Sequence, residues 1–143
     1  MSTIAAIILT KNEEKHIARC INSLKGICDE VFVVDSLSTD RTCEIAEELG
    51  AKVYKNPWKN YATQFNYGVY QCPIQSEWIW RIDADEFLEG NIGTAVKNTL
   101  SNCSENVNGV YVRKRIDFMG KPLLHGGWSV SYTHLTLPTI CSV

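Results

Sequence analysis

Two carboxylates one residue apart, Asp83-Ala84-Asp85, close the apolar run Trp78 to Ile82 (WIWRI). In extended backbone, residues two apart point to the same side, so both acids can converge on one ligand. Hard oxygen donors paired this way suit Mg²⁺ or Mn²⁺, which keeps waters and completes its shell with phosphate oxygens. Such a cation offsets the charge that develops on a leaving diphosphate, which bare carboxylates would repel. Asp83 and Asp85 are therefore the expected metal ligands and catalytic residues, with Mn²⁺ or Mg²⁺ as cofactor. An isolated acidic pair is more often a solvated turn, so the surrounding pattern has to decide.

That pattern repeats the same device. Val31 to Val34 (VFVV) is a second apolar run closed by an acid, Asp35. A carboxylate there can accept a hydrogen bond from a base or a ribose; capping of the next loop is the alternative. The first run, Ile4 to Leu9 (IAAIIL), is followed by Thr10, Asn12 and Glu13, which are expected nucleotide contacts on the same edge. Asn12 is also expected to N-cap the helix that follows.

Buried strands must position these acids. Continuous apolar runs bounded by polar residues suit parallel strands covered on both faces. Between the first two, Ile17, Cys20, Ile21 and Leu24 recur at i, i+3, i+4 and i+7, an amphipathic helix ended by Gly26. A second helix carries Thr42, Ile45, Ala46 and Leu49 inward, with Ser38 or Thr39 as its cap and Gly50 at its close. Ala51 to Tyr54 reads as a third strand. Tyr61 to Tyr70 reads as a helix with Ala62, Phe65 and Val69 inward. A helix over Ile92 to Leu100 and a strand over Gly109 to Ile116 complete the series. Strand and helix in alternation predict a doubly wound α/β sheet. Trp78, Trp80 and Phe32 are assigned to the core; Trp58 and Tyr61 fall near the ligand edge; Arg113, Lys114 and Arg115 are assigned to a solvated face, and His125 to the surface.

Composition narrows the function. The 143 residues are 45% apolar and 21% charged with a net charge of −2, so there is no basic footprint for nucleic acid. No apolar run reaches the ~18 residues that span a bilayer, and no signal-peptide pattern opens the chain; a cytoplasmic protein is expected. The six cysteines form no CxxC pair and read as reduced thiols. No GxGxxG follows the first strand, which argues against a dinucleotide oxidoreductase. A nucleotidyltransferase would carry an early Gly-rich basic loop, and a phosphatase of the DxD-nucleophile type would carry its acids after the first strand.

Four ordered segments resemble family 2 glycosyltransferases: Leu9-Thr10-Lys11-Asn12-Glu13; Val33-Val34-Asp35-Ser36 with Ser38-Thr39-Asp40-Arg41-Thr42; Phe65-Asn66-Tyr67-Gly68; and Ile82-Asp83-Ala84-Asp85-Glu86. The likeness is to the bacterial subgroup that builds lipopolysaccharide core and related surface glycans. It implies a GT-A (Rossmann-like) fold, a nucleotide-sugar donor, usually UDP-linked, a glycan or lipid-linked acceptor, and inversion at the anomeric carbon. By that likeness Thr10, Asn12, Glu13 and Asp35 hold the nucleotide, and Asn66 and Gly68 belong to the helix lining the donor site. Asp85 would be the direct metal ligand, and Asp83 would meet the ribose or the metal's shell. Peripheral membrane association of the parent enzyme is compatible with it.

Two departures accompany the likeness. Leu37 stands where the family pattern carries Gly, in a turn that must then tolerate a Cβ. After Gly126-Gly127-Trp128 the family-like sequence stops, and the tail from Ser129 to Val143 resembles translated adaptor sequence. Residues 1–128 are thus expected to form a partial nucleotide-sugar-binding domain, incomplete at its C-terminus, and 129–143 a non-native or disordered tail outside every element. Glu86 lies too near the acidic pair to serve as the base for an acceptor hydroxyl, and Asp117 has no supporting context, so no base is assigned. A non-catalytic nucleotide-binding fragment and a nucleotidyltransferase are the alternatives.

Overall fold

The computed structural model describes residues 2–114, 117–118, 121–122 and 131–136. Its elements run β1 (Ile4–Thr10), α1 (Ile17–Leu24), β2 (Glu30–Asp35), α2 (Thr42–Glu48), β3 (Lys52–Lys55), α3 (Tyr61–Gln71), β4 (Trp78–Asp83), α4 (Ile92–Asn102) and β5 (Gly109–Lys114). The short β6 (Asp117–Phe118) and β7 (Lys121–Pro122) pair with each other, and β8 (Ser131–Thr136) follows.

The main sheet has the order β3-β2-β1-β4-β8-β5. Its first four strands are parallel, and β8 runs antiparallel to both β4 and β5. All seven residues of β1 are buried, because this strand lies between β2 and β4 with a layer on each face. That is why its sequence is unbroken in apolar character instead of alternating. Each isoleucine buried there contributes about 1.5–3 kcal/mol. One face of the sheet, including Ala6, Ile8, Val33, Trp80 and Ile82, packs against Ile17 and Leu24 of α1, Ala46 of α2 and Val96 of α4. The opposite face, Ile7, Leu9, Val34 and Ile79, is covered by Phe65 and Val69 of α3. A mainly parallel sheet with helices on both faces is the expected Rossmann-like architecture.

Several local expectations are corrected. The tail was expected to lie outside every element, yet 131–136 forms β8 within the sheet. The segment SYTHLT is rich in β-branched and aromatic residues, and it pairs with the flank of β4 that β1 leaves open. Ala62 is exposed; the face of α3 turned to the sheet is centred on Gln64 and Gly68. Gly68 sits there because a Cβ would meet Val34 Cγ2 at 3.0 Å and Ile7 Cγ2 at 3.1 Å. Lys114 is not on a solvated face: it pairs with Glu86 at 3.0 Å, with both side chains about three-quarters covered. The side chains of Arg113 and Arg115, as well as His125 and Cys141, lie outside the described residues. The remaining five cysteines are free thiols, and burial pushes those of Cys20 and Cys28 up to about 12. Among the described residues, no helix is long and apolar enough to cross a membrane.

Candidate functional site: a metal and nucleotide cleft

The chain builds β2 and β3 to one side of β1, then crosses to place β4 on the other. Ligand crevices of open α/β sheets form at such a reversal, beyond the carboxyl ends of the strands. A cleft of about 460 Å³ lies there. Thr10 and Lys11 line it from the end of β1, Ser36 from the end of β2, and Asp83, Ala84 and Asp85 from the end of β4. Glu13 and the aromatic pair Trp58 and Tyr61 complete the wall. The two rings meet edge to face with centroids 4.8 Å apart, and the Arg81 guanidinium lies 5.4 Å from the Tyr61 centroid.

The acidic turn is held from two directions. Glu86 Oε1 accepts from Asp83 N at 3.0 Å and from Lys114 Nζ at 3.0 Å. Burial pushes the Glu86 carboxyl up, and the bonds from Lys114 and the Asp83 amide offset only part of that. From α1, Arg19 donates to the Asp85 carbonyl at 3.4 Å and stacks over the Phe87 ring at 4.2 Å, while Ser23 Oγ accepts from Leu88 N at 3.0 Å. Asp85 is left exposed and Asp83 half-buried.

Oxygens of Asp83, Asp85 and Glu86 come within 4.8 Å of one another, a hard donor set of the kind Mg²⁺ or Mn²⁺ takes. Since Glu86 Oε1 already accepts two protein hydrogen bonds, Asp83 and Asp85 are the better-placed pair. The acidic field reaches across the cleft. Burial, then the charges of Asp85, Asp40 and Asp83, hold the Glu13 carboxyl above its usual value against the opposing effect of His16. A cation in the cleft would relieve that field, so the residues present fit a divalent metal.

At the other end, the loops after β1 and β2 are zipped together. Asn12 N donates to Ser38 Oγ at 2.7 Å, Thr39 N to Asn12 Oδ1 at 2.8 Å, Glu13 N to Thr42 Oγ1 at 2.8 Å and Lys11 Nζ to the Leu37 carbonyl at 2.9 Å. Asn12 and Leu37 have φ of 51° and 59°. Asn adopts this left-handed conformation readily, whereas Leu does so at a cost of about 1–2 kcal/mol. Asn12 therefore turns the loop and does not cap α1, whose first residue is Ile17. The N-cap of α2 is Arg41, not Ser38 or Thr39, and the side chain of Asp40 just before it accepts from Thr42 N at 2.9 Å.

Asp35 is fully buried beneath this zipper. Its oxygens accept from Thr10 Oγ1 at 2.6 Å, Ser38 Oγ at 2.6 Å and Ser38 N at 2.7 Å. Burial pushes the carboxyl up, but the bonds from Ser38 and Thr10 outweigh it and hold Asp35 below the usual carboxylate value. Within the chain, the Asp35 carboxylate thus organises the loop by tying Ser38 to the end of β1. Of the expected site residues, Thr10, Glu13, Asp83 and Asp85 are gathered in the cleft wall, whereas Asn12, Asp35, Asn66 and Gly68 are not part of it. Sequence reading did not single out Lys11 or Ser36 as site residues, although both stand within two residues of ones that were.

Residues 5–133 match the model of the family described as glycosyl transferase family 2. The chain belongs to this family. Among similar proteins, an uncharacterised glycosyltransferase of Rickettsia felis is 54% identical over 88 residues, which are 62% of this chain and 30% of that protein. The lipopolysaccharide core biosynthesis glycosyltransferase LpsC of Rhizobium meliloti is 31% identical over 122 residues, covering 82% and 44% respectively. The chain therefore spans less than half the length of these relatives. The solved glucosyl-3-phosphoglycerate synthase of Mycobacterium tuberculosis in complex with UDP has a similar fold, with a TM-score of 0.70 at 20% identity over 96% of this chain and 57% of that one. The same enzyme with Mn²⁺, UDP and glucosyl-3-phosphoglycerate gives 0.58 at 23% identity, covering 76% and 42%.

Proposed function

We propose that the chain forms the donor-binding part of a glycosyltransferase that moves a sugar from a nucleotide-sugar, a UDP-hexose, to a glycan or lipid-linked acceptor with inversion, in bacterial surface polysaccharide synthesis. The observation that carries this is the convergence of Asp83 and Asp85 with Thr10 and Glu13 in one cleft at the reversal point of the sheet. The UDP and Mn²⁺ held by the mycobacterial synthase, and the role printed for LpsC, support the donor and the pathway class.

Asp83 and Asp85 would hold the cation, which supplies charge stabilisation to a departing diphosphate. Everything else falls to the chain's own groups. Lys11, tethered to the Leu37 carbonyl, holds a positive charge at the cleft wall. Arg19 holds the backbone at Asp85, and Glu86 holds it at Asp83, so the turn that carries both carboxylates is set before the donor arrives. Glu86 is thereby excluded as the base for an acceptor hydroxyl.

Calorimetric titration of the folded chain with UDP, with and without Mn²⁺, tests the reading. Manganese-dependent binding that Asp85→Ala weakens by at least about tenfold is expected, the scale of perturbing a metal's support. Absence of UDP binding by a chain shown to be folded would overturn it.

A further inference from the structure

Asp83 and Asp85 do not stand alone at the end of β4. Glu86 adds a third carboxylate, and one oxygen from each of the three lies within 4.8 Å of the others. Three charged oxygen donors that close make a stronger cation site than two, because affinity for divalent ions climbs with ligand charge. The chain directs the third one elsewhere. Glu86 Oε1 accepts from the Asp83 amide at 3.0 Å, and the Glu86 amide donates to the Asp83 carbonyl at 2.9 Å, so the turn is closed in both directions. Lys114 Nζ then donates to the same Oε1 at 3.0 Å.

Lys114 comes from far away to do this. It is the last residue of β5, and β8 lies between β5 and β4 in the sheet. Its side chain reaches past an intervening strand, and holding so long a side chain still costs rotamer entropy. Lys114 and Glu86 are only 27% and 24% exposed, which sets the contact apart from the weakly held pairs of an open surface. The turn has other supports: the two bonds between Asp83 and Glu86, Arg19 on the Asp85 carbonyl and Ser23 on the Leu88 amide. What the ammonium changes is the charge and the freedom of Glu86. With it, one of the three carboxylates is neutralised and tethered; without it, all three face the same place.

Resting on the reading of Asp83 and Asp85 as metal ligands, we propose that Lys114 sets the cation preference of the cleft by withholding Glu86 from it. The cation then meets two carboxylates and draws the rest of its shell from water and diphosphate oxygens, an arrangement that suits the small octahedral ions. Released from the lysine, Glu86 would offer a third charged donor, and a site of that kind favours Ca²⁺ with its larger shell of about six to eight oxygens. Lys114 is a specificity-determining residue that acts through Glu86. By the same device, capture of the cation depends on the diphosphate that arrives with it.

The test is calorimetric titration of the full chain with Mg²⁺, Mn²⁺ and Ca²⁺, with and without UDP, with urea midpoints as the check on folding. Wild type is compared with Lys114→Met, Lys114→Arg, Glu86→Gln and the double variant Lys114→Met with Glu86→Gln. Without UDP, Lys114→Met is expected to bind Ca²⁺ at least about tenfold more tightly, the scale of a changed metal surround, with clearly smaller gains for Mg²⁺ and Mn²⁺. Lys114→Arg should keep the wild-type preference, since a guanidinium still holds Glu86. The double variant should return to that preference, because no third carboxylate is left to release. Equal tightening of all three cations in Lys114→Met would show that only the lost positive charge acts, and would overturn the inference. Unchanged or weaker Ca²⁺ binding by the folded variant would do the same. Glu86→Gln gives an independent check: a changed ratio of Ca²⁺ to Mg²⁺ affinity there would mean that Glu86 already serves as a ligand, and the inference fails. In each of these cases, Mn²⁺ binding by wild type with UDP leaves the donor-site reading standing. A folded wild-type chain that binds no cation even with UDP would remove both.

Discussion

Replacing Asp35 by alanine separates an organising role from a ligand-binding one. The substitution removes the acceptor of the Thr10 hydroxyl, the Ser38 hydroxyl and the Ser38 amide, at 2.6, 2.6 and 2.7 Å. A hydrogen bond to a charged group is worth about 1.5–3 kcal/mol, and a buried donor left without a partner adds its own penalty. Ser38 is only half-buried and can recover water, while Thr10 is 3% exposed and cannot. Losing the carboxylate also removes its cost of burial, so the net loss is about 3–5 kcal/mol rather than the sum of three bonds. Against a typical total of about 5–15 kcal/mol this is a large share. With a urea dependence of about 2 kcal/mol per molar, the midpoint should fall by roughly 2 M.

The acid limb gives a second reading of the same group. Because the folded pKa of Asp35 lies below its unfolded value, its contribution is fully present above about pH 4 and is lost as pH falls through the folded value. Asp35→Asn should flatten that part of the stability profile. A loss below about 1 kcal/mol in Asp35→Ala, accompanied by a large drop in UDP affinity, would refute the organising role and return Asp35 to the ligand.

Two further outcomes follow from the same geometry. Leu37→Gly relieves the left-handed backbone at φ 59° while the Lys11 bond to its carbonyl survives; about 1–2 kcal/mol of relief less about 0.5–1 of glycine entropy predicts a gain of a few tenths to 1 kcal/mol in urea unfolding, and a clear loss would show that the half-exposed side chain packs usefully. Gly68→Ala places a Cβ 3.0 Å from Val34 Cγ2 and 3.1 Å from Ile7 Cγ2, both in the core, and should cost about 1–3 kcal/mol with a lowered thermal midpoint; an unchanged midpoint would mean that α3 can lift off the sheet freely.

The strands and the acidic turn were legible because their cause is local. Unbroken apolar character in IAAIIL and VFVV requires burial on both faces, and Asp83 and Asp85 stand where such a strand ends. Helix α1 was legible for the same reason, its buried residues being the four at i, i+3, i+4 and i+7. What sequence could not give was the partner of each polar side chain. Asn12 follows a strand and precedes a helix, as an N-cap does; only the approach of the 35–42 loop shows that it pairs with Thr39 across 27 residues. Gln64 looks like one more polar residue on an amphipathic helix, and its burial is decided by the Ser36 and Asn56 groups that the fold brings to it. β8 was missed because a strand added to an open flank of a sheet has no flanking helix to announce it.

The two ends of the cleft are built by different parts of the chain. One end is formed by the 10–16 and 35–42 loops, locked through Asp35 and Asn12 and braced from α3 by Gln64. The acidic end is formed by the 83–88 turn, braced by Arg19 and Ser23 of α1 and, through Glu86, by Lys114 of β5. Among the described residues, the side-chain hydrogen bonds that lock the first end do not share residues with those that brace the second, and the two ends meet through the charges of Asp83 and Asp85 at Glu13. A change in the zipper can thus leave the bracing of the 83–88 turn in place, and a change in the turn can leave the zipper in place. Under the proposed function, that separation would let selectivity change at one end while charge stabilisation at the other is kept.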